Sequence, residues 1–572
     1  MSKQPLLPIP ELQETADRFL TWVKPLISAQ QYQQTQARVK QFVDGDGQTL
    51  QKALRAFAEE KSHSSWLIDA WLESYLCVRD SLPLTTSGGF RLDLRYPDTG
   101  LMRVAYMIVG FAQQSADYFN DCLEPNLSPR QEPLDMYQWK PLQGIGRMPG
   151  ADCDHYEMAP MDKQVRYVGV FWKNREFLVP VLDEHHRVYS AASIAKALEA
   201  IVAGQFSDQC DKPAVSAMTM SLAGGEEAHA FINEVRDNGE NQANLLALSH
   251  TLINIYLDES FAETDNETLR NFSYLEKKRL WAYKPLTVCA NLADNRLFAH
   301  LEHGWYDAGA LQTMFARSEI VAATHAEGEQ ATVDLPVKLL QWQFTESQRA
   351  TLGTWDRRHR QRAGQYRVDA AVVPVDGEKI PQRTSIDALM QFVLQYAQQQ
   401  TFGKIRNTYE AVDVSHFQRG RTECIRPVSS ESVAFVKALI KGKATAEQFS
   451  DAHAEHKNRI KACKRGHGVN RHLLGLRLMA DKLGLQPALF DDVGYQTITY
   501  DFLSTSSLGD RRYMGDFAFV PTVIGGLGVS YFTTDEQDFL YCIAYHEQQQ
   551  AIVEKFKHDL GEAGEKLMQF FS

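Results

Sequence analysis

Apolar residues recur at helical spacing from the start of the chain. Leu12, Ala16, Phe19, Leu20, Val23, Leu26 and Ile27 share one face, which predicts an amphipathic helix that Pro25 bends or ends. Two more helical runs follow, through Leu50, Leu54 and Phe57 and through Trp66, Ile68, Trp71 and Tyr75. Between 80 and 165 loops surround one apolar helix, Leu101 to Phe119. The period then shortens. Tyr167 to Trp172, a polar Lys173-Asn174-Arg175-Glu176, and Phe177 to Leu182 predict a hairpin. A helix is expected over Ile194 to Ile201, a strand near Ala214 to Leu222, and a helix over 238–257. Leu286 to Leu292 and Leu297 to Leu301 predict a second hairpin, which delivers Glu302 and His303 at its end.

In the second half Ser385 is placed to cap a helix whose apolar face is Ile386, Leu389, Met390, Val393, Leu394 and Ala397. Alternation at Ile498, Tyr500 and Phe502 predicts a strand running into Leu503-Ser504-Thr505-Ser506. Phe517 to Val523 and Val529 to Phe532 predict two more, and Thr534 with Gln537 predicts a capping box opening the last helix. The whole reads as mixed α/β, in two lobes joined near 340–385.

Composition narrows the function classes. With 572 residues and 44% of them apolar, the chain has ample mass for more than one core. Sixty basic against 72 acidic residues leave −12, which argues against a nucleic-acid binder. No stretch of 18 uninterrupted apolar residues occurs, so no spanning helix is expected. Eight cysteines (Cys77, Cys122, Cys153, Cys210, Cys289, Cys424, Cys463 and Cys542) are scattered without a CxxC. That spacing predicts reduced, mostly buried thiols and neither a disulfide framework nor a zinc site. The amino terminus has no apolar leader core and is not Arg-rich, so a cytoplasmic protein is expected.

Four motifs carry candidate chemistry. His303-Gly304-Trp305-Tyr306-Asp307 places a histidine just past a strand with an acid four residues on. An imidazole there can take a proton from an attacking hydroxyl. Ser504-Thr505-Ser506 closes a strand with hydroxyls able to donate to a developing oxyanion. Thr408-Tyr409-Glu410 precedes Gly420 to Arg426, and Arg471 opens an apolar, helix-like run. By contrast, His453 and His456 with Glu455 read as a surface helix and not a metal site, and Gly525-Gly526-Leu527-Gly528 reads as a turn between strands.

Taken in order, these segments resemble the carnitine/choline acyltransferase family over nearly the whole chain. Glu14-Thr15 to Phe42, Trp66 to Pro83, Tyr137 through Arg147-Met148-Pro149-Gly150, Leu301-Glu302-His303, Thr408 to Arg426 and Leu503 to Ser506 each resemble a family segment. The resemblance implies two similar lobes of the chloramphenicol acetyltransferase type, each a mixed sheet flanked by helices, with an active-site tunnel between them. It divides the chain into a helical segment, 1–95, packing on the second lobe; a lobe carrying His303, 96–340; and a second lobe, 341–572. It implies His303 as general base, Ser506 as oxyanion donor, and Asp307 paired with Arg421 as support for the active-site turn.

The family's carnitine enzymes hold the substrate carboxylate with a tyrosine, a threonine and an arginine, matched here by Tyr409, Thr422 and Arg471, with Ser504 alongside. A fixed cation suits carnitine, and left unpaired it would penalise choline. The expected activity is therefore reversible acyl transfer between a coenzyme A thioester and the carnitine hydroxyl, within fatty acid metabolism. Coenzyme A is a co-substrate, no cofactor is tightly bound, no metal is used, and a monomer is expected. Gapless matching puts Asp376 and Ile380 where the family has coenzyme A-binding lysines; Lys379, Arg383 and Asp387 are the candidates in their place. Asp516 or Phe517 falls at the family's acyl gate, and both exceed glycine, which points to short or medium acyl groups. Two alternatives stand beside this: an enzyme of the same family using choline, another amino alcohol or another thioester donor, and a non-catalytic acyl-carnitine or coenzyme A binding protein.

Overall fold

The structure, a computed structural model, describes residues 4–128, 130–206, 215–328, 331–509 and 511–572. Two large sheets organise the described residues, beside a two-stranded ribbon of Ile145–Met148 and His155–Met158. The larger has eight strands in the spatial order Met514–Phe519, Gly88–Leu92, Leu297–Leu301, Leu286–Asn291, Asn254–Asp258, Tyr167–Trp172, Arg175–Pro180 and Lys338–Leu340. The smaller has six, in the order Tyr366–Val373, Phe539–His546, Leu527–Thr533, Leu503–Ser506, Thr408–Asp413 and Thr422–Ile425. Parallel and antiparallel pairs mix in both, as crossover helices and tight hairpins each leave their own pairing.

Helices cover both sheets, and the central strands Leu286–Asn291 and Leu297–Leu301 are buried along their whole length. Helices Gly100–Phe119, Ala191–Val202 and Ala308–Ala326 contribute Ile108, Phe111, Ile194, Leu198 and Phe315 to a core shared with Val170, Ile255 and Val288 of the larger sheet. Helices Ile386–Phe402, Ser430–Ile440 and Gln550–Phe571 cover the smaller sheet with Leu389, Phe392, Phe435, Phe556 and Leu560. The amino-terminal helices Leu12–Val23, Ala29–Asp44 and Asp46–Glu60 pack Phe19, Trp22, Phe42 and Leu54 against Ile425, Leu476 and Tyr495. Many of the helix starts are sealed by local hydrogen bonds, including capping boxes at Ser28, Thr345, Ser429 and Thr445.

The edge strand Met514–Phe519 comes from late in the chain yet pairs with Gly88–Leu92 in the larger sheet. It ties the two sheets together, because the chain returns to the smaller sheet at Leu527. The pairing brings Gly88 opposite both Leu301 and Phe519. The strand that ends before His303 therefore lies one strand away from the chain that follows Ser506.

Several expectations are corrected. The segment 238–257 is not one helix: helix Gly239–Ser249 ends and strand Asn254–Asp258 begins. That strand lies mid-sheet, so its apolar run lacks the alternation that marks a half-exposed strand. The strand expected near Ala214 to Leu222 is a 3-10 helix, Ala217–Leu222, with every side chain buried; Ala214 lies outside the described residues. Ile498 belongs to a short helix, Val493–Thr499, whose start the Asp492 side chain caps. Thr534 and Gln537 form a hairpin turn and no capping box. Gln537 adopts φ 70° and donates its N–H to the Thr534 carbonyl, and strand Phe539–His546 intervenes before the last helix. The strand expected over Phe517 to Val523 runs instead from Met514 to Phe519. The cysteines are not all reduced, since Cys77 and Cys153 form a disulfide; their separation along the chain hid a pairing that folding creates. Cys210 lies outside the described residues. Among the described residues no helix is long and apolar enough to cross a membrane.

Helix Ala308–Ala326, which starts directly behind Asp307, crosses Gly100–Phe119 so closely at Gly110 that an added Cβ would lie 2.4 Å from the Ser318 carbonyl oxygen. Gly110→Ala is expected to force the helices apart at a cost of about 1–3 kcal/mol, read as a lower urea midpoint with an unchanged slope.

Candidate active site

His303 stands at the floor of a cavity of about 390 Å³ between the two sheets. Strand Leu297–Leu301 delivers it, and its Nδ1 lies 2.7 Å from the Tyr306 carbonyl oxygen. A carbonyl can only accept, so Nδ1 carries the proton and Nε2 keeps a free lone pair. The Tyr75 ring meets the imidazole edge-on at 5.4 Å.

Two buried ion networks hold this histidine. On one side Asp307 takes both prongs of Arg421, with Nε to Oδ2 at 2.7 Å and Nη2 to Oδ1 at 3.0 Å. Arg421 Nη1 also donates to the Gly304 carbonyl at 2.8 Å, closing the turn. Gln138 completes the brace by accepting from the Asp307 N–H at 2.6 Å and donating to Oδ2 at 3.1 Å. Burial would raise the Asp307 carboxyl, but the Arg421 charge together with the hydrogen bonds from Arg421 and Gln138 outweighs it and holds the group below its ordinary value. On the other side Arg147, fully buried, donates to Glu302 at 3.0 Å, to Asp154 at 2.7 Å and to the Tyr75 carbonyl at 2.9 Å.

The cavity wall opposite comes from the smaller sheet. Thr408–Asp413 and Leu503–Ser506 are parallel neighbours, with Tyr409 opposite Ser504. Ser504, Ser506, Tyr409 and Thr422 all line the cavity with His303 and Asp307. Behind Tyr409 and Thr422 sits Arg471, which donates from Nη2 to their hydroxyls at 3.3 and 3.2 Å and from Nε to the Thr422 carbonyl at 2.7 Å. Burial opposes its charge, yet the Tyr409 and Glu423 side chains more than compensate and keep it firmly protonated. Trp71 lies beneath both guanidinium groups, 4.7 Å from Arg471 and 4.9 Å from Arg421. One stretch of the wall is apolar: Phe90 and Phe517, stacked at 5.1 Å, with Leu301 and Phe519. Phe517 faces the cavity, whereas Asp516 pairs with Arg91 at 3.3 Å and Arg511 at 3.2 Å.

The other candidates lie elsewhere. Asp387 lines a second cavity of about 550 Å³ with Glu410, Tyr531 and Lys464; Ala411, Asp413, Ser507 and Leu508 belong to the walls of both cavities. Asp387 accepts from Tyr531 at 2.7 Å and lies 2.7 Å from His456 Nε2. Burial and the Asp387 charge push the neighbouring Glu410 carboxyl well up. His456 is thus a buried partner of Asp387 and not a surface residue, because its helix packs on the start of Ile386–Phe402. Lys379 and Arg383 line neither cavity, and Lys379 pairs with Asp376 at 3.6 Å. Sequence reasoning gave no role to Gln138, Glu410 or Tyr531. Each is one polar residue among others in its segment, and no spacing distinguishes it.

A model of the choline/carnitine O-acyltransferase family matches residues 7–562. The chain therefore belongs to that family, and it is an acyltransferase. The mitochondrial carnitine O-palmitoyltransferase 2 of Bos taurus is 26% identical over 93% of this chain and 86% of its own length. A putative acetyltransferase of Mycoplasma pneumoniae is 24% identical over 97% and 92%. Among solved structures, the TRI3 trichothecene 15-O-acetyltransferase of Fusarium sporotrichioides aligns over 87% of this chain and 94% of its own at TM-score 0.40 and 10% identity.

Removing the Asp307 charge leaves Arg421 buried without its partner, so Asp307→Asn is expected to cost about 3–5 kcal/mol at neutral pH. Because the folded carboxyl titrates below its unfolded value, its stabilisation is present above the unfolded pKa, near 3.9, and fades as pH falls through the folded one. Urea titrations should show the gap between wild type and variant narrowing below about pH 4.

Proposed function

We propose that this chain is a carnitine O-acyltransferase that moves short or medium acyl groups between a coenzyme A thioester and the carnitine hydroxyl. The observation that carries the reading is that His303 and the Tyr409–Thr422–Arg471 cluster serve a single cavity. A zwitterion whose carboxylate is held by Tyr409 and Thr422, with Arg471 supplying the charge behind them, would present its hydroxyl within that same space.

His303 Nε2 then takes the hydroxyl proton as the oxygen attacks the thioester carbonyl, and the protonated imidazole returns it to the leaving thiolate. Bonds balance: one C–O ester bond forms as one C–S bond breaks. Ser506 donates to the tetrahedral oxyanion, with Ser504 beside it on the same strand. Asp307 and Arg421 take no part in proton transfer; they fix the turn that carries the base. The second cavity, sharing walls with the first, is the path for coenzyme A, with Asp387 and Tyr531 in its wall as polar groups for the amide arm. Lys379 and Arg383 at the surface are the groups for its phosphates. Phe517 closes the apolar end and sets the acyl length.

A second reading, with choline or another alcohol as acceptor, would leave Arg471 without a counterpart in the substrate. Thiol release from acetyl-, octanoyl- and palmitoyl-coenzyme A, with carnitine and then choline, separates the two. Turnover with carnitine that vanishes in His303→Ala is the expected result; binding without turnover would reduce the protein to a carrier. Arg471→Asn is expected to raise the carnitine KM about tenfold to a hundredfold while sparing thioester affinity. Phe517→Gly is expected to shift preference towards palmitoyl-coenzyme A, measured as the ratio of kcat/KM values for the long and short thioesters.

A further inference from the structure

The Cys77–Cys153 disulfide joins two segments that both reach the base. Cys77 directly follows helix Ile68–Leu76, which brings Trp71 under Arg471 and Arg421 and Tyr75 against His303. Cys153 precedes Asp154, whose N–H donates to the Leu76 carbonyl at 2.8 Å and whose carboxylate receives Arg147 at 2.7 Å and Arg79 at 2.9 Å. Arg147 continues the chain to Glu302, beside His303. The sulfur bridge therefore closes a ring of contacts: helix end, turn, buried guanidinium, base. Both cysteines are partly exposed, whereas the free Cys289, Cys424, Cys463 and Cys542 are buried. A small thiol can reach the bridge far more readily than those four.

We propose that Cys77–Cys153 is a reversible redox-modification site that tunes the acceptor-alcohol half of the active site. Low-molecular-weight thiols are its reductant. One thiolate attacks the bridge to form a mixed disulfide and release one cysteine thiolate; a second thiol displaces the other cysteine. One protein S–S bond is exchanged for one in the small disulfide, and two protons stay on Cys77 and Cys153. In the oxidised protein the helix carrying Trp71 and Tyr75 is held in register with Arg147. In the reduced protein its carboxyl-terminal turn is released, loosening the Trp71 platform under Arg471 while the second cavity, which no residue of 68–77 lines, is untouched.

This rests on the carnitine reading for its kinetic arm, so the experiment has a second arm that does not. Full-length protein is oxidised with air and copper-phenanthroline or reduced with dithiothreitol, and the bridge is scored by alkylation and intact mass. Backbone amide exchange of residues 68–77 is then followed in both states. Exchange is expected to be about tenfold faster on reduction, and the carnitine KM to rise about three- to tenfold with the acyl-coenzyme A KM unchanged. Cys77→Ser/Cys153→Ser should behave as the reduced protein and ignore dithiothreitol. Exchange over 68–77 that does not change with the bridge's state would overturn the proposal, as would two freely alkylated cysteines after oxidation. Equal rises in both KM values would overturn it too. If neither state turns over carnitine, the carnitine reading fails, and the exchange arm alone decides this one.

Discussion

One guanidinium joins the two halves of this active site. Arg421 rises from the rim of the smaller sheet and binds the carboxylate and the backbone of the turn that follows the larger sheet's strand Leu297–Leu301. A buried cation is costly to leave unpaired, so the turn has little freedom to drift from the smaller sheet once the core has closed. The imidazole's position relative to Ser504 and Ser506 thus follows from an ion pair that does no chemistry itself.

The same economy of buried charge recurs around it. Arg147 holds Glu302 and Asp154, and Arg471 is held by Tyr409, Thr422 and Glu423. Arg421 and Arg471 share Trp71, whose ring faces both cations. Each guanidinium is planar and presents several donors, so each fixes more than one segment. Lysines in these places would supply charge without that geometry. The result is a cavity whose walls are held by buried ion pairs and in which, among the described residues, His303 Nε2 has no hydrogen bond to the protein.

The two cavities also differ in character. The one holding His303 is apolar at the Phe90–Phe517 end and rich in hydroxyls at the other, a division suited to a molecule with an acyl tail and a polar head. The other is walled in part by Asp387, Glu410 and Tyr531. Their shared wall, Ala411, Asp413, Ser507 and Leu508, is where the strands Thr408–Asp413 and Leu503–Ser506 end. Loops at strand ends bound both spaces, so the rigid strands set where the two spaces meet.

Much of the site was legible as residue types in order. His303 after an apolar strand, the Ser504–Ser506 hydroxyls and the Tyr409, Thr422 and Arg471 set could each be named from local pattern and family resemblance, because each stands at an element's end. Helices with one apolar face, such as Leu12–Val23 and Ile386–Phe402, were legible for the same reason: periodicity is a local property. Tertiary structure alone decided the rest. It placed Met514–Phe519 in the sheet that carries His303, which turned Phe517 and not Asp516 into the cavity. It brought Cys77 to Cys153, and His456 to Asp387. None of these pairs has a spacing that marks it. Contacts between distant segments come from the closing of a shared core, and a linear pattern of apolar and polar residues records only which side of each element faces inward, not what it meets there.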